Sequence, residues 1–342
     1  MDSPAQLTSV EICAGAGGQA HGLENAGFKH LALVENDRWC CETLRARRPW
    51  RDQVRELSVK EWKATTFKGQ VDLFAGGVPC PPFSRAGRRL GADDERDLFP
   101  TAIELISECE PRAVMLENVR GLLATDFDDY RRDVIEGPLK EMGYVPRWKL
   151  LEARDYGVPQ LRPRVLLVAL KEDADEHFAW PDQDPDATSS VGEVLRREMG
   201  RGGWKGATEW AQRAKGIAPT LVGGSKKHGG PDLGPTQAKK QWAAMGVNGH
   251  LVATEPPGPD FPLDGNPVLT VRMTAMLQGF PRDWPFQGSK TAAYRQVGNA
   301  FPPPVAEAVG RKIRAALIAS APAALPAVLP TRVERGHGRA AA

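Results

Sequence analysis

Short apolar runs and helical patterns take turns through the first 170 residues, and that alternation restricts the fold more than any other feature of the chain. Residues 7–13, 31–34, 71–75, 113–116 and 164–168 are apolar runs too short for helices. Between them, residues 98–108 and 130–142 carry helical patterns, and another helix opens near Gln19. Strands separated by helices are joined by crossovers, which lay them parallel. The expected fold is α/β, a doubly wound, mostly parallel sheet. Residues 171–267 interrupt this rhythm with Pro, Gly and charge. A helix is expected over 304–320, and the Ala/Pro/Arg-rich residues 320–342 read as a disordered tail.

The chain has 342 residues, 41% hydrophobic and 26% charged, which excludes a wholly disordered protein and allows two domains or one domain with an insertion. No apolar stretch approaches the ~20 residues that span a bilayer. The start MDSPAQLTSV lacks a basic, apolar leader, so a cytoplasmic protein with no membrane association is expected. Five cysteines, none in a CxxC pair, argue against a disulfide framework or a zinc site.

The net charge of +2 hides an uneven distribution. Residues 172–187 hold seven acids and no Lys or Arg, while residues 196–250 hold ten bases against three acids. The basic stretch also carries Trp204, Trp210, Trp242 and many glycines. Such a segment suits contact with a phosphate backbone, although a solvated, loop-rich insertion has the same composition.

The first chemical signal is a turn. Residues 15–20, GAGGQA, follow a strand, open a helix and fit G-x-G-x-x-A, with Glu35 twenty residues after Gly15 at the next strand's end. Glycines let a ligand approach the backbone, and an acid at that tip can accept two ribose hydroxyls. The pair points to a nucleoside-containing cofactor and does not separate NAD from S-adenosylmethionine.

Three further strand ends carry reactive groups. GGVPCPPFS at residues 76–84 places Cys80 where doubly wound sheets bind substrates. ENV at 117–119 places Glu117 at the neighbouring tip, and QLRPR at 160–164 sets Arg162 and Arg164 on one side of an extended segment. Singly, each has a plainer explanation: an inert buried thiol, a helix cap, a salt-bridged strand edge.

Together and in this order, the blocks resemble the DNA (cytosine-5) methyltransferase family, of the bacterial restriction-modification type. EICAGAGG at 11–18 is similar to its cofactor turn, GGVPCPPFS to its nucleophile loop, ENV to its acid block and QLRPR to its paired-arginine block. LTVR at 269–272, LQGFP at 277–281 and YRQVGNAFPPPVA at 294–306 match the late blocks, the last being the most specific.

The resemblance implies the S-adenosylmethionine-dependent methyltransferase fold. Residues 1–170 plus 267–319 would form the catalytic domain, and residues 171–266 a smaller inserted target-recognition domain. It implies Cys80 as the nucleophile that adds to carbon-6 of a flipped-out cytosine, making carbon-5 reactive toward a methyl group. Glu117 would protonate or hydrogen-bond nitrogen-3, Arg164 would hold oxygen-2, and Arg162 would bind nearby backbone or phosphate. S-adenosylmethionine, leaving as S-adenosylhomocysteine, would contact Cys13, Ala14, Gly15, Ala16, Gly17, Gly18, Glu35, Asn36, Glu56, Leu57, Pro79, Leu98, Asn299 and Ala300. DNA contacts would come from Ser84, Arg85, Arg88 and Arg89 in a loop over 81–96. Lys226 and Lys227, in the 220–230 segment TLVGGSKKHGG, would add others.

The family also implies double-stranded DNA as partner, a cognate restriction endonuclease as companion, and action as a monomer. Departures from its pattern are Cys13 and Asn36 where aromatic or large residues are usual, Pro81 in place of Gln, Glu11 in place of Asp, and Glu56-Leu57 in place of Asp-Ile. The first two remove stacking surface from the adenine site. A non-catalytic repressor would have lost Cys80 or Glu117, and neither is lost. A tRNA-methylating relative would carry a smaller insert, and an NAD dehydrogenase would leave the later blocks unexplained.

Overall fold

The computed structural model describes residues 6–79, 97–184, 186–223 and 232–320. One seven-stranded sheet organises the chain, with strands β1 (Leu7–Ile12), β2 (Phe28–Glu35), β3 (Val54–Glu56), β4 (Leu73–Gly77), β5 (Ala113–Val119), β6 (Tyr144–Glu152) and β7 (Pro163–Lys171). Their order is β3-β2-β1-β4-β5-β7-β6. The first five are parallel; β7 runs antiparallel to both β5 and β6. After β1 the chain winds outward through β2 and β3, then returns to lay β4 on the other side of β1. That reversal opens a crevice at the carboxyl ends of β1 and β4, the usual binding position in such sheets.

The central strands were legible because both of their faces are buried. Along β4 and β5, Leu73, Ala75, Ala113 and Met115 pack beneath the helix Pro303–Ala319, through Val305, Val309, Ile313 and Leu317. Phe74, Val114 and Leu116 point the other way, against Ala102, Leu105 and Ile106 of the helix Phe99–Cys109. Two strands carry no such run. β3 has three residues, and β6 is a half-exposed edge strand with Arg147 and Lys149 along it. β6 and β7 are joined by a short connection through the turn Ala153–Tyr156, so they pair antiparallel without a crossover.

The helix expected over 130–142 is broken into Asp128–Tyr130, a wide π turn over Arg131–Glu136, and Gly137–Glu141. Pro138 has no N–H to donate and its ring crowds the carbonyl four residues back, which favours a widened turn just before it.

The inserted residues do not close a core of their own. The helices Val191–Met199 and Ala207–Arg213 and the helix Thr236–Ala244 bury Leu195, Trp210 and Trp242 in a cluster continuous with Leu269, Tyr294 and Val297. The cluster reaches Ala14, Leu44 and Trp50 beside the first turn. Trp204, Trp210 and Trp242 are at most 3% exposed, and their indole N–H groups donate to Pro262, Gly246 and Leu233 carbonyls. The composition of this stretch left a phosphate-contact surface and a solvated insertion open; its tryptophans belong to neither, because they are core. The last helix ends at Ala319, and residues 321–342 lie outside the described ones. Among the described residues no helix is long and apolar enough to cross a membrane.

Candidate active site

At the crevice between β1 and β4 lies a cavity of about 970 Å³. Its floor is the turn after β1. Cys13 at φ 50° and Gly15 at φ 52° bend the chain sharply there, and the Ala14 N–H donates to Val34 at 3.1 Å. A left-handed φ is costly for a cysteine, so the surrounding sheet must hold it in place. Gly17 is also left-handed, and a Cβ on it would come within 2.7 Å of Trp50 and 2.9 Å of Leu44. The turn therefore needs glycine for its shape.

Glu35 marks one wall. Its Oε1 accepts from the Asn36 and Asp37 N–H groups at 2.8 and 2.7 Å, and its Oε2 accepts from Gly15 N–H at 2.8 Å. A carboxylate offers about four acceptor positions, so Oε2 keeps room for one ribose hydroxyl. Burial pushes the Glu35 carboxyl above its ordinary range, and these three backbone donors offset part of that rise.

Of the sequence-predicted cofactor contacts, Cys13, Ala14, Gly15, Ala16, Gly18, Glu35, Asn36, Leu57, Pro79, Leu98, Asn299 and Ala300 line the cavity. Gly17 and Glu56 do not. Gly17 faces Trp50 and Leu44, and Glu56 is turned to Arg45 in an ion pair at 2.5 Å. Sequence reasoning missed Gln19, Cys40, Ser58, Lys60 and Arg295, which also line it. The G-x-G-x-x-A pattern contains Gln19, but a motif cannot say whether a helix residue faces a ligand or a neighbouring helix.

At the far end the cavity reaches Gly77, Pro79 and Glu117. Register places Glu117 opposite Gly77 on β4 and Leu166 on β7. The Arg164 Nε donates to Glu117 Oε1 at 2.7 Å, with both side chains largely buried. Burial raises the Glu117 carboxyl, and Arg164 and Arg162 offset part of that rise, leaving it above the usual carboxylate range. Asn118 is buried beside it and donates to the Val78 carbonyl at 2.9 Å, while its Oδ1 accepts from Val119 N–H. The chain two residues before Cys80 is thus tied to the residue next to Glu117. Cys80, Ser84, Arg85, Arg88, Arg89, Lys226 and Lys227 lie outside the described residues.

Arg162 and Arg164 have different fates. Arg162 is 1% exposed, and its guanidinium donates to the carbonyls of Leu221 at 2.8 Å, Gly298 at 2.8 Å and Ala300 at 2.9 Å. It binds backbone and is closed to phosphate, so its assignment among the reacting groups is corrected to that of a positioning residue. Gln160 and Gln278, both fully buried, complete the seam. Gln160 Nε2 donates to Gln278 Oε1 at 2.5 Å, and its Oε1 accepts from Leu221 N–H at 2.9 Å. Gln278 Nε2 donates to the Ala300 carbonyl at 2.6 Å. The seam joins the arginine segment, the start of the 220–230 segment and the Asn299-Ala300 wall of the cavity.

A doubly wound sheet of order β3-β2-β1-β4-β5-β7-β6 whose β7 is antiparallel, with a nucleoside-sized cavity at its reversal and a carboxylate on the second strand tip, matches the methyltransferase fold. The chain belongs to the C-5 cytosine-specific DNA methylase family, whose model matches residues 7–315. It is a DNA (cytosine-5-)-methyltransferase, and its reaction is of the S-adenosylmethionine-dependent kind. It is 54% identical over 314 residues to the Type II methyltransferase M.NaeI of Lentzea aerocolonigenes, covering 91% of this chain and 75% of that one. It is 52% identical over 320 residues to the Type II methyltransferase M.NgoMIV of Neisseria gonorrhoeae, covering 91% and 98%. These likenesses put it with the restriction-modification members of the family.

Among solved structures, the Entamoeba histolytica methyltransferase EhMeth superposes with a TM-score of 0.63 at 12% identity, covering 90% of this chain and 98% of that one. A Spodoptera frugiperda DNMT2 mutant gives 0.61 at 17%, covering 90% and 99%. At such identities the likeness is one of fold.

Proposed function

We propose that this enzyme methylates carbon-5 of a cytosine flipped out of duplex DNA, through a covalent adduct at Cys80. The observation that carries the reading is the Glu117–Arg164 pair at the inner end of the cavity, with Asn118 anchoring the chain that leads into Cys80. The Cys80 thiolate adds to carbon-6, the ring electrons shift to carbon-5, and Glu117 donates a proton or hydrogen bond to nitrogen-3 as charge develops there. A carboxyl held above its ordinary range suits that donation. Arg164 holds oxygen-2 and keeps Glu117 oriented. Bound S-adenosylmethionine supplies an electrophilic methyl group. Once carbon-5 carries the methyl group, water takes the carbon-5 proton, the electrons of that bond re-form the ring double bond and expel the Cys80 thiolate, and the nitrogen-3 proton returns to Glu117. Glu35 holds one ribose hydroxyl through Oε2, and Leu57, Leu98 and Pro79 border the rest of the nucleoside.

Residues 171–266 form the target-recognition domain in this reading, with the 220–230 segment, including Lys226 and Lys227, against DNA and the 81–96 loop closing over the flipped base. The likeness to Type II methyltransferases supports work beside a cognate restriction endonuclease; in this reading the enzyme acts on DNA in the bacterial cytoplasm, as a monomer. Duplexes carrying 5-fluorocytosine test the chemistry, because fluorine cannot leave as a proton does. A trapped adduct should map to the peptide containing Cys80, and an adduct on any other peptide overturns the assignment. Glu117→Gln should lower turnover by roughly 10²–10⁴ with DNA affinity nearly unchanged.

A further inference from the structure

The turn after β1 is held from far along the chain. Cys13, Gly15 and Gly17 are left-handed there, at φ 50°, 52° and 81°. Such backbone belongs to no helix or ladder, so its carbonyls depend on donors from elsewhere. The Ala16 carbonyl receives one from the indole of Trp284, whose Nε1–H donates to it at 3.1 Å across 268 residues of sequence. Trp284 is 7% exposed and does not line the cavity, whereas Ala16 does. The indole therefore acts on the site only through the turn.

Its own place is fixed from two sides. The Arg47 guanidinium stands 4.8 Å from the Trp50 ring centroid and 4.9 Å from that of Trp284. Arg47 and Trp50 are both tied to Glu24, on the helix Gly18–Asn25 that the turn opens, at 2.7 and 2.9 Å. On the other side, the Trp284 backbone N–H donates to the Pro281 carbonyl at 3.1 Å, a tight turn that relates the indole to Arg282. The Arg282 Nε donates to Glu198 Oε2 at 2.8 Å. Glu198 is buried on the inserted helix Val191–Met199, and Arg201 and Arg272 hold its other oxygen at 3.2 and 3.3 Å. One tight turn thus joins the insert to the floor of the cavity.

We propose that Trp284 is a positioning residue for methyl transfer: its indole fixes the cofactor turn, and the insert sets the indole through Glu198 and Arg282. This rests on the cavity being the S-adenosylmethionine site. A change in the insert then alters cofactor affinity, although none of the described residues in 171–266 lines the cavity.

A path through space becomes coupling only when energies show it, so the test is calorimetric binding of S-adenosylhomocysteine without DNA. Trp284→Phe keeps an aromatic ring beside Arg47 and removes the N–H; affinity should fall about two- to tenfold, the worth of a neutral hydrogen bond. Trp284→Met likewise lacks the donor and takes its place if the phenylalanine variant fails to fold. Arg282→Met should weaken binding about two- to fivefold, the scale of one exposed ion pair. In the double variant that second loss should vanish, because its route is already cut. Trp204→Phe is the control: it removes the same kind of bond, to the Pro262 carbonyl at 3.1 Å, and should lower the thermal midpoint with affinity unchanged. A Trp284→Phe enzyme that behaves like this control makes the indole merely structural and overturns the proposal. Equal losses from Arg282→Met in both backgrounds overturn the link to the insert. If the unmutated enzyme does not bind S-adenosylhomocysteine, the cofactor reading of the cavity fails, and the proposal with it.

Discussion

The cavity and the seam beside it are both lined with buried polar groups, yet they are built in opposite ways. In the seam, Gln160, Arg162 and Gln278 bond to each other and to the carbonyls of Leu221, Gly298 and Ala300, and of their buried polar atoms the Arg162 Nε alone lacks a partner among the described residues. In the cavity, Gln19 and Glu11 hold atoms with no partner among the described residues. A group bonded to several carbonyls of the chain carries structure, and a buried amide that faces a cavity with neither end bonded has room for a ligand. Arg162 and Arg164 repeat the contrast two residues apart. Arg162 is bonded to three carbonyls, while Arg164 reaches Glu117 at the edge of the cavity.

The comparison breaks most directly at Arg162. Changing it to Met strips the buried Leu221 and Gly298 carbonyls of this donor and leaves the Ala300 carbonyl to Gln278 alone, so urea and thermal unfolding should reveal a loss of about 3–5 kcal/mol. Arg164→Met should instead cost turnover while stability changes little. Unaltered stability in Arg162→Met, with activity lost, would move Arg162 to the ligand-facing side and undo the distinction.

A second saturated group lies under the cofactor turn. His30 contacts Ser9 Oγ and the Ala20 carbonyl, each at 2.9 Å, and burial pushes its pKa down to about 4. The unfolded chain binds this proton near pH 6.5, so the stabilisation is complete above that pH and is lost as pH falls toward 4. Its size is on the order of 3 kcal/mol. Urea midpoints measured from pH 7 to pH 4 should fall more steeply for the unmutated chain than for His30→Gln. Parallel slopes would remove His30 from the scaffold.

The smallest effect is expected at the glycine contact that closes the seam. A Cβ on Gly298 would run into the backbone of Gly223, and one on Gly223 would approach the Arg295 carbonyl and Asn299 Oδ1. Gly298→Ala should cost about 1–3 kcal/mol through overpacking. Because Asn299 and Ala300 line the cavity, S-adenosylhomocysteine affinity should fall with it. A drop in stability alone would sharpen the comparison by confining the seam to a scaffold role.

Much of this molecule was readable from local pattern. The runs that became β1, β4 and β5 are buried on both faces, so their apolar content survives any choice of neighbour. The turn after β1 announced itself because left-handed backbone at Gly15 and Gly17 selects glycine. Strands β3 and β6 were missed because three residues, or a half-exposed edge, need not be apolar. The tryptophans of the insert misled for a related reason. An indole among lysines and glycines looks the same in sequence whether it meets a base or a core, and all three meet the core.

The chain's sequence, taken alone, determined the alternation of strands and helices, the shape of the cofactor turn and the order of the reactive blocks, because each depends on residues within a few positions of one another. Only the tertiary structure decided which polar groups are used up. Arg162 is bonded to carbonyls 59 to 138 residues away in the chain, and Gln19 is left open because the wall facing it is a cavity. A hydrogen bond is settled by distance and angle in three dimensions. That is why two arginines in one five-residue motif could come to do different work.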